Sequence, residues 1–228
     1  MVDYFEVAKY PLSDLKNFLM GFIMGALSLL IIPLLFVSGY MVETIRETLN
    51  HSNTLPQWFQ LKNWKVFAKH GFFVFLICSI YLLPAFLLSI SSTAFISIDT
   101  RAVLQSERPW EDDMLLGAGS GIEAVGISLL FFGSLLFFAG LFLLPMALLL
   151  YSASGDIKYA FRLNELLPRL KRIIIPYLKA YVVSIFVFFL ALLLVFIPWF
   201  AFLIGGILYY PTIFSARLFA VVFEEYGY

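Results

Sequence analysis

A single cysteine, Cys78, and two histidines, His51 and His70, are the only thiol and imidazole groups in the 228 residues. One cysteine excludes a disulfide within the chain and a cysteine metal cluster. The histidines lie too far apart in the sequence for a helical pairing, so a metal site made from them would have to recruit Glu43 or Glu47. Charge is scarce too. Asp, Glu, Lys and Arg together make up 13% of the chain, with 15 acids against 15 bases. A net charge of zero gives nucleic acid no bulk electrostatic attraction. With 62% hydrophobic residues and a mean hydropathy of +0.94, a water-exposed surface could not be covered, and lipid must be the solvent for most of the chain. Apart from Glu123 at the mouth of the third, the apolar spans contain no carboxylate, so a relay of Asp and Glu has no obvious material. There is no nucleotide loop and no HExxH, GxSxG or CxxC pattern. The composition therefore points away from an enzyme and implies no cofactor, no metal and no catalytic residue. Asp3, Glu6 and Asp14 ahead of a long apolar run do not fit a signal peptide.

What the chain does have is a frame of prolines. An apolar span ends at Ile32-Pro33, a basic segment follows, Leu55-Pro56 punctuates it, and a second apolar span carries Leu83-Pro84. The same plan recurs at Leu144-Pro145, Leu167-Pro168 and Ile197-Pro198. Pro33 to Pro56 and Pro145 to Pro168 are equal intervals, and Pro56 to Pro84 nearly equals Pro168 to Pro198, although side-chain identity is otherwise poor. Residues 33–84 and 145–198 are thus a candidate internal repeat, set against coincidence.

Taken in order, residues 1–17 read as a short interfacial segment broken by Pro11. A first span is expected over 18–40, about 20 residues, enough to cross a ~30 Å hydrocarbon core once. Gly21 and Gly25 in it form a small-xxx-small pair that admits a close helix, or are simply two glycines of a membrane helix. Residues 41–70 leave the membrane: Glu43, Arg46 and Glu47 continue a helix, a turn follows, and then Trp58, Leu61, Trp64 and Ala68 share one face while Lys62, Lys65 and Lys69 share another. Such a helix is expected to lie in the interface with its indoles at headgroup depth. The second span, 71–98, should kink at Pro84, and beyond it Ser89, Ser92, Thr93 and Ser97 form a hydroxyl stripe. That stripe either lines a wet path or bonds back to nearby carbonyls. Residues 99–120 are an acidic loop with Asp99, Glu107, Glu111, Asp112 and Asp113. A third span covers 122–151.

The second basic segment, 152–176, is the stronger amphipathic pattern. Lys158, Arg162, Glu165, Arg169 and Arg172 recur at 4, 3, 4, 3, with Ile157, Phe161, Leu166, Leu170 and Ile173 free for the opposite side. Pro168 and Pro176 argue for two or three helical pieces. Spans 177–197 and 200–223 close the chain, turning at Pro198-Trp199. The reading is one all-α domain over 1–228: a bundle of about five transmembrane helices with two amphipathic segments, 41–70 and 152–176. Four Lys and Arg in 41–70 and six in 152–179, against two in 96–123, put both basic segments in the cytoplasm of a cell membrane. Five crossings would leave the N-terminus outside, where Lys9 and Lys16 fit poorly; a first segment that dips and returns would remove that conflict. On five crossings the two copies of the frame run parallel, unlike the inverted repeats of many carriers.

Gly39-Tyr40, Arg46, Leu55-Pro56, Trp58, Trp64, Phe67 and Gly71 together make a Gly-Tyr pair, a basic residue, Leu-Pro-x-Trp, an aromatic stretch and a glycine opening the next span. This pattern resembles the archaeal and bacterial membrane proteins grouped as domain-of-unknown-function family 4013, and Pro145, Ala160-Phe161 and Tyr177-Leu178 fit that family's second half. Asn50-His51-Ser52-Asn53-Thr54 departs from the glycine and acidic residues expected there. The resemblance implies a polytopic protein of the cell membrane and no particular activity.

Two functions remain in competition. In the first, Arg46, Trp58, Lys62, Trp64, Lys65, Lys69, Lys158, Arg162, Arg169, Arg172 and Arg217 hold anionic lipid or a partner protein at the cytoplasmic face. Arg217, in the last span, either snorkels to headgroups or is buried and needs Glu43 or Asp156. In the second, an oligomeric channel or small-solute transporter, Ser89, Ser92, Thr93 and Ser97 line the path. Membrane lipids are the expected partners, with a second copy or another membrane protein as further candidates.

Overall fold

The computed structural model describes residues 2–29, 31–52, 54–105, 113–196 and 203–227, with side chains described except at 29, 31, 61, 96–105, 113–123 and 195. Every regular element among them is helical: α1 Tyr4–Lys9, α2 Leu15–Ala26, α3 Ile31–Leu49, α4 Leu61–Gln105, α5 Asp113–Ser154, α6 Leu163–Arg172, α7 Ile174–Val195 and α8 Ile204–Tyr226. Three short 3-10 turns, Tyr10–Leu12, Leu27–Leu29 and Ile157–Phe161, join some of them. The chain divides into two compact units, Met1–Ile77 with Pro145–Tyr228, and Cys78–Leu144.

The first unit begins with two aspartate caps. Asp3 accepts from the backbone N–H of Phe5 and Glu6 at the start of α1, and Asp14 does so for Lys16 and Asn17 at the start of α2. Each satisfies donors that the first helical turn leaves open. The helix that Asp14 starts is only 12 residues long, about 18 Å, too short to cross a ~30 Å apolar core. Contacts along α8 fix its direction. Gly25 meets Gly205 and Gly21 meets Tyr209, so α2 runs against α8. Tyr40 sits 6.0 Å from Tyr209 and Thr48 accepts from Arg217, so α3 runs with it. α2 and α3 therefore pair as a helical hairpin, with the 3-10 turn Leu27–Leu29 at the end of its first limb, where a single crossing is expected at 18–40. Pro33 falls in the first turn of α3, where its missing N–H has no intrahelical partner to lose. A Cβ on Gly25 would overlap the Gly205 backbone, so this close approach needs both glycines.

At the far end of α3 the chain turns on His51, whose φ is 58°. Ser52 N–H bonds Glu47 C=O and His51 N–H bonds Thr48 C=O, the pattern of a helix closed by a left-handed residue. The next helix does not lie apart in an interface. α4 starts at Leu61 and runs unbroken through Pro84 to Gln105, so the basic turns 62–69 are the first turns of a membrane-length helix. A Cβ on Gly39 would overlap the Phe67 carbonyl, and one on Gly71 would overlap that of Leu35. These two glycines let the α3 and α4 backbones touch.

α6 is held on the first unit by Leu166 and Leu170, with Ile173 buried just beyond its end. The breaks between the pieces of the second basic segment fall at Arg162 and Ile173, while Pro168 stays inside α6 and Pro176 inside the first turn of α7. α7 packs on α8 through Tyr177, whose ring centroid lies 5.2 Å from that of Phe219. α8 is the centre of the unit: Ile213, Phe214, Leu218, Phe219, Ala220, Val222 and Phe223 are all buried.

The second unit pairs the later part of α4 with the earlier part of α5. Gly133 lies against Ala85 and Ser89, and Gly140 against Tyr81, so the two helices run antiparallel. The expected acidic loop is partly helical, because Asp99 belongs to α4 and Asp113 opens α5. Its Glu107, Glu111 and Asp112, and the turn at Pro198-Trp199, lie outside the described residues. Among the described residues four helical stretches, Lys62–Phe95, Ala124–Ser154, Ile174–Leu194 and Ile204–Tyr226, are long and apolar enough to cross a membrane, against about five expected. The proline frame is repeated only coarsely. Pro33 opens a helix whereas Pro145 sits inside one, and Pro56 lies in the irregular connection before α4 whereas Pro168 lies in α6.

Candidate functional site

One end of the first unit gathers the last turn of α3, the first turns of α4, the end of α5, α6, the start of α7 and the last turns of α8. Its interior is an aromatic cluster. Trp58 is fully buried and stacked on Tyr40, centroids 4.6 Å apart and planes 5° apart, with Phe67 edge-on at 5.2 Å. Its backbone N–H donates to Asn17 Oδ1 at 3.2 Å and its indole N–H faces the Tyr209 hydroxyl at 3.4 Å. Trp64, packed on Phe36, donates its indole N–H to the Trp58 carbonyl at 2.6 Å. Neither indole lies on a free helix face: Trp58 is a core residue, and the half-buried Trp64 fastens the turn before α4.

Beside the aromatic cluster lies a polar network. Arg46 donates from Nε to the Ser152 carbonyl at 3.1 Å and from Nη1 to Glu43 Oε1 at 3.2 Å. The same Nη1 lies 2.9 Å from His70 Nε2. That Nε2 is also 3.3 Å from Glu43 Oε1, and the other ring nitrogen, Nδ1, lies 2.5 Å from the Tyr151 hydroxyl. This chain ties α3, α4 and α5 together inside the protein. Burial pushes the Glu43 carboxyl above its usual range, and the Arg46 charge pulls it back. Arg46, expected at a lipid or partner surface, is instead the hub of this network, and its guanidinium occupies the face of His70 that a metal would need. Among the described residues no group of three or more metal-ligating side chains occurs. A polar cleft of about 310 Å³ opens next to Glu43, lined also by Glu47, Gln57, Gln60 and Asn63.

Arg217 is half-buried. Its Nη1 donates to Thr48 Oγ1 at 2.8 Å and to the Ser52 carbonyl at 3.0 Å, and its guanidinium lies over the Tyr10 ring at 4.4 Å. Thr48, Ser52 and Tyr10 stand where Glu43 or Asp156 is expected. Burial raises the Tyr10 hydroxyl to about 12 despite the Arg217 charge. The signal for this contact is the left-handed turn after α3, which no spacing rule exposes.

The remaining bases are at the surface. Lys62, Lys65 and Lys69 line the first turns of α4, and Lys158 is exposed before α6. Arg162 bonds Glu165 at 2.8 Å and covers the Tyr159 ring at 4.2 Å. Arg169 and Arg172 are exposed, as is Lys171, which the 4, 3, 4, 3 stripe leaves out. Leu163 and Leu167, 47% and 50% exposed, continue the buried row of Leu166 and Leu170 sideways toward Lys171. The hydroxyls of the second span look inward to their own helix: Ser89 donates to Ala85 C=O, Ser92 to Ser89 C=O and Thr93 to Ile90 C=O, all within 2.9 Å. Ser97 lies outside the residues whose side chains are described. These bonds give a hydroxyl-lined path no support.

The fold and this site define a class: an all-α helical bundle with four helices long and apolar enough to span a membrane. A family model described as protein of unknown function (DUF4013) matches residues 26–200, more than three quarters of the chain, and the protein belongs to that family. No curated protein and no solved structure matches it. The motif residues Gly39, Tyr40, Arg46, Trp58, Trp64, Phe67 and Gly71 all fall within the match and all serve the packing of α3, α4 and α5.

Proposed function

We propose that this is a non-enzymatic, multi-pass protein of the cell membrane that binds anionic lipid at its cytoplasmic face, with α6 and the first turns of α4 as the binding surface. The observation that carries the reading is α6 itself. Its apolar sector is half covered, by its own fold at Leu166 and Leu170, and half open at Leu163 and Leu167. Arg169, Lys171 and Arg172 flank it, with no carboxylate in ion-pair contact among the described residues. An amphipathic helix of this kind seats its leucines at the acyl boundary and its cations among phosphates. Orientation follows from charge: of the 15 Lys and Arg, only Arg101 and Arg108 lie in the 96–123 connection.

Native mass spectrometry of the gently extracted protein tests it. Retained anionic phospholipid should fall at least about tenfold when Arg169, Lys171 and Arg172 become glutamate, because each base near an anionic surface contributes about 1 kcal/mol. Unchanged retention sinks the reading.

A further inference from the structure

We propose a second lipid site, separate from α6: the cleft between the N-terminal segment and the last turns of α8 seats a phospholipid headgroup that carries both a phosphate and a primary ammonium. The cleft is open and about 670 Å³, large enough for such a group, and both signs of charge line it. Arg217, held in place by Thr48, Ser52 and the Tyr10 ring, and Lys9, over the Phe5 ring, supply the cations; Asp3, Glu6 and Glu224 supply carboxylates. This balance disfavours a purely anionic headgroup, which three carboxylates would repel, and it suits a zwitterion. The charges are also ordered. Arg217 and Glu224 share one face of α8, two helical turns and so about 10 Å apart along its axis, with the carboxylate nearer the chain end. In the other direction an exposed apolar row, Leu12, Leu15, Leu19 and Ile23, leaves the cleft at spacings of 3, 4 and 4 and descends α2. Because α2 runs against α8, the sequence along the axis is apolar row, then Arg217, then carboxylate. A phospholipid presents its acyl chains, its phosphate and its ammonium in that same order. Asp3 is committed to capping α1 and Glu224 meets His51, so the ammonium falls to the exposed Glu6, which lies on α1 between Tyr4, beside Tyr226, and Tyr10, beneath Arg217, and so on the Glu224 side of that guanidinium.

The experiment uses the full chain in detergent, offered phosphatidylethanolamine and phosphatidylcholine of matched acyl chains, with bound lipid counted by native mass spectrometry. The wild type should retain the ethanolamine lipid about tenfold over the choline lipid, whose quaternary nitrogen cannot donate a hydrogen bond. Glu6→Gln should erase that preference while leaving thermal unfolding unchanged, since Glu6 is exposed. Leu15→Asn with Leu19→Asn should weaken both lipids alike. The Arg169, Lys171 and Arg172 reversals should leave the ethanolamine preference intact, which separates failure of this site from failure of α6. Equal retention of the two lipids, a preference that survives Glu6→Gln, or soluble phosphoethanolamine competing as well as the lipid would each overturn the proposal.

Discussion

Removing the Trp58 indole would leave a hole bounded by Tyr40, Phe67 and Tyr209 and deprive the Tyr209 hydroxyl of a neighbour. Large-to-small changes at fully buried aromatics cost about 3–5 kcal/mol. Trp58→Ala is therefore expected to lower stability by that amount in denaturant unfolding in mild detergent, and Trp64→Ala, half-buried at the edge, by less. Folded Trp58→Ala protein should still retain anionic lipid, because its indole reaches no surface. Glu43 supplies a pH signature. Its folded value is raised above the ordinary 4.5, so the folded state holds the proton more tightly. Its contribution to stability is then fully present below the ordinary value and is lost as pH rises through the folded one. The unfolding free energy of the wild type minus that of Glu43→Gln should decline from acid to neutral pH; a flat difference would mean that burial does not shift this carboxyl.

Between elements, the family motif turns out to be a packing instruction. Gly39 and Gly71 meet backbone carbonyls on the facing helix, and a backbone cannot yield by changing rotamer. Gly39→Ala and Gly71→Ala should each cost about 1–3 kcal/mol or more, the range for overpacking. Gly133, whose nearest obstacle is the rotatable Ser89 hydroxyl at 3.1 Å, should tolerate alanine better; equal melting temperatures for all three would refute the distinction. Here too lies the boundary of what the sequence makes legible. The Gly-Tyr, Leu-Pro-x-Trp and Gly landmarks mark the contact between α3 and α4, and the period of residues 163–172 marks α6, because both signals are local. The depth of Trp58 is invisible in that way. An indole beside lysines is the same signal at a headgroup and in a core. Only Tyr40 in the preceding helix and Tyr209 in the last one decide between them. The break at Leu27–Leu29 is hidden as well, since a run of leucine and isoleucine has the same hydropathy whether it continues or turns back. Gly205, in the last helix of the chain, selects the turn.

At the scale of the molecule, that hairpin bears on the parity of the proposed crossings. If α4, α5, α7 and α8, the four helices long and apolar enough to cross, are the crossings, the chain returns to the side where it began. On that reading the N-terminal segment, the α3–α4 turn, α6 and the last turns of α8 share one face, in keeping with the contacts among the first, second and last of these: Tyr10 donates to the Thr54 carbonyl at 3.0 Å, and Arg217 reaches Ser52. Lys9 and Lys16, which sit badly on the outside of a five-span protein, then join the other bases on the proposed cytoplasmic face. The two topologies differ at a single place. In a Cys78→Ser background, a cysteine at Ser13 should resist a membrane-impermeant maleimide on intact cells and react once the membrane is opened, as should one at Ser52. A cysteine at Gln105, at the end of α4, should react from outside in both cases. If the first apolar segment crossed the membrane, Ser13→Cys would behave like Gln105→Cys and unlike Ser52→Cys. That outcome would also remove the geometry of the α1–α8 cleft, because its two walls could not then meet on one side of the bilayer.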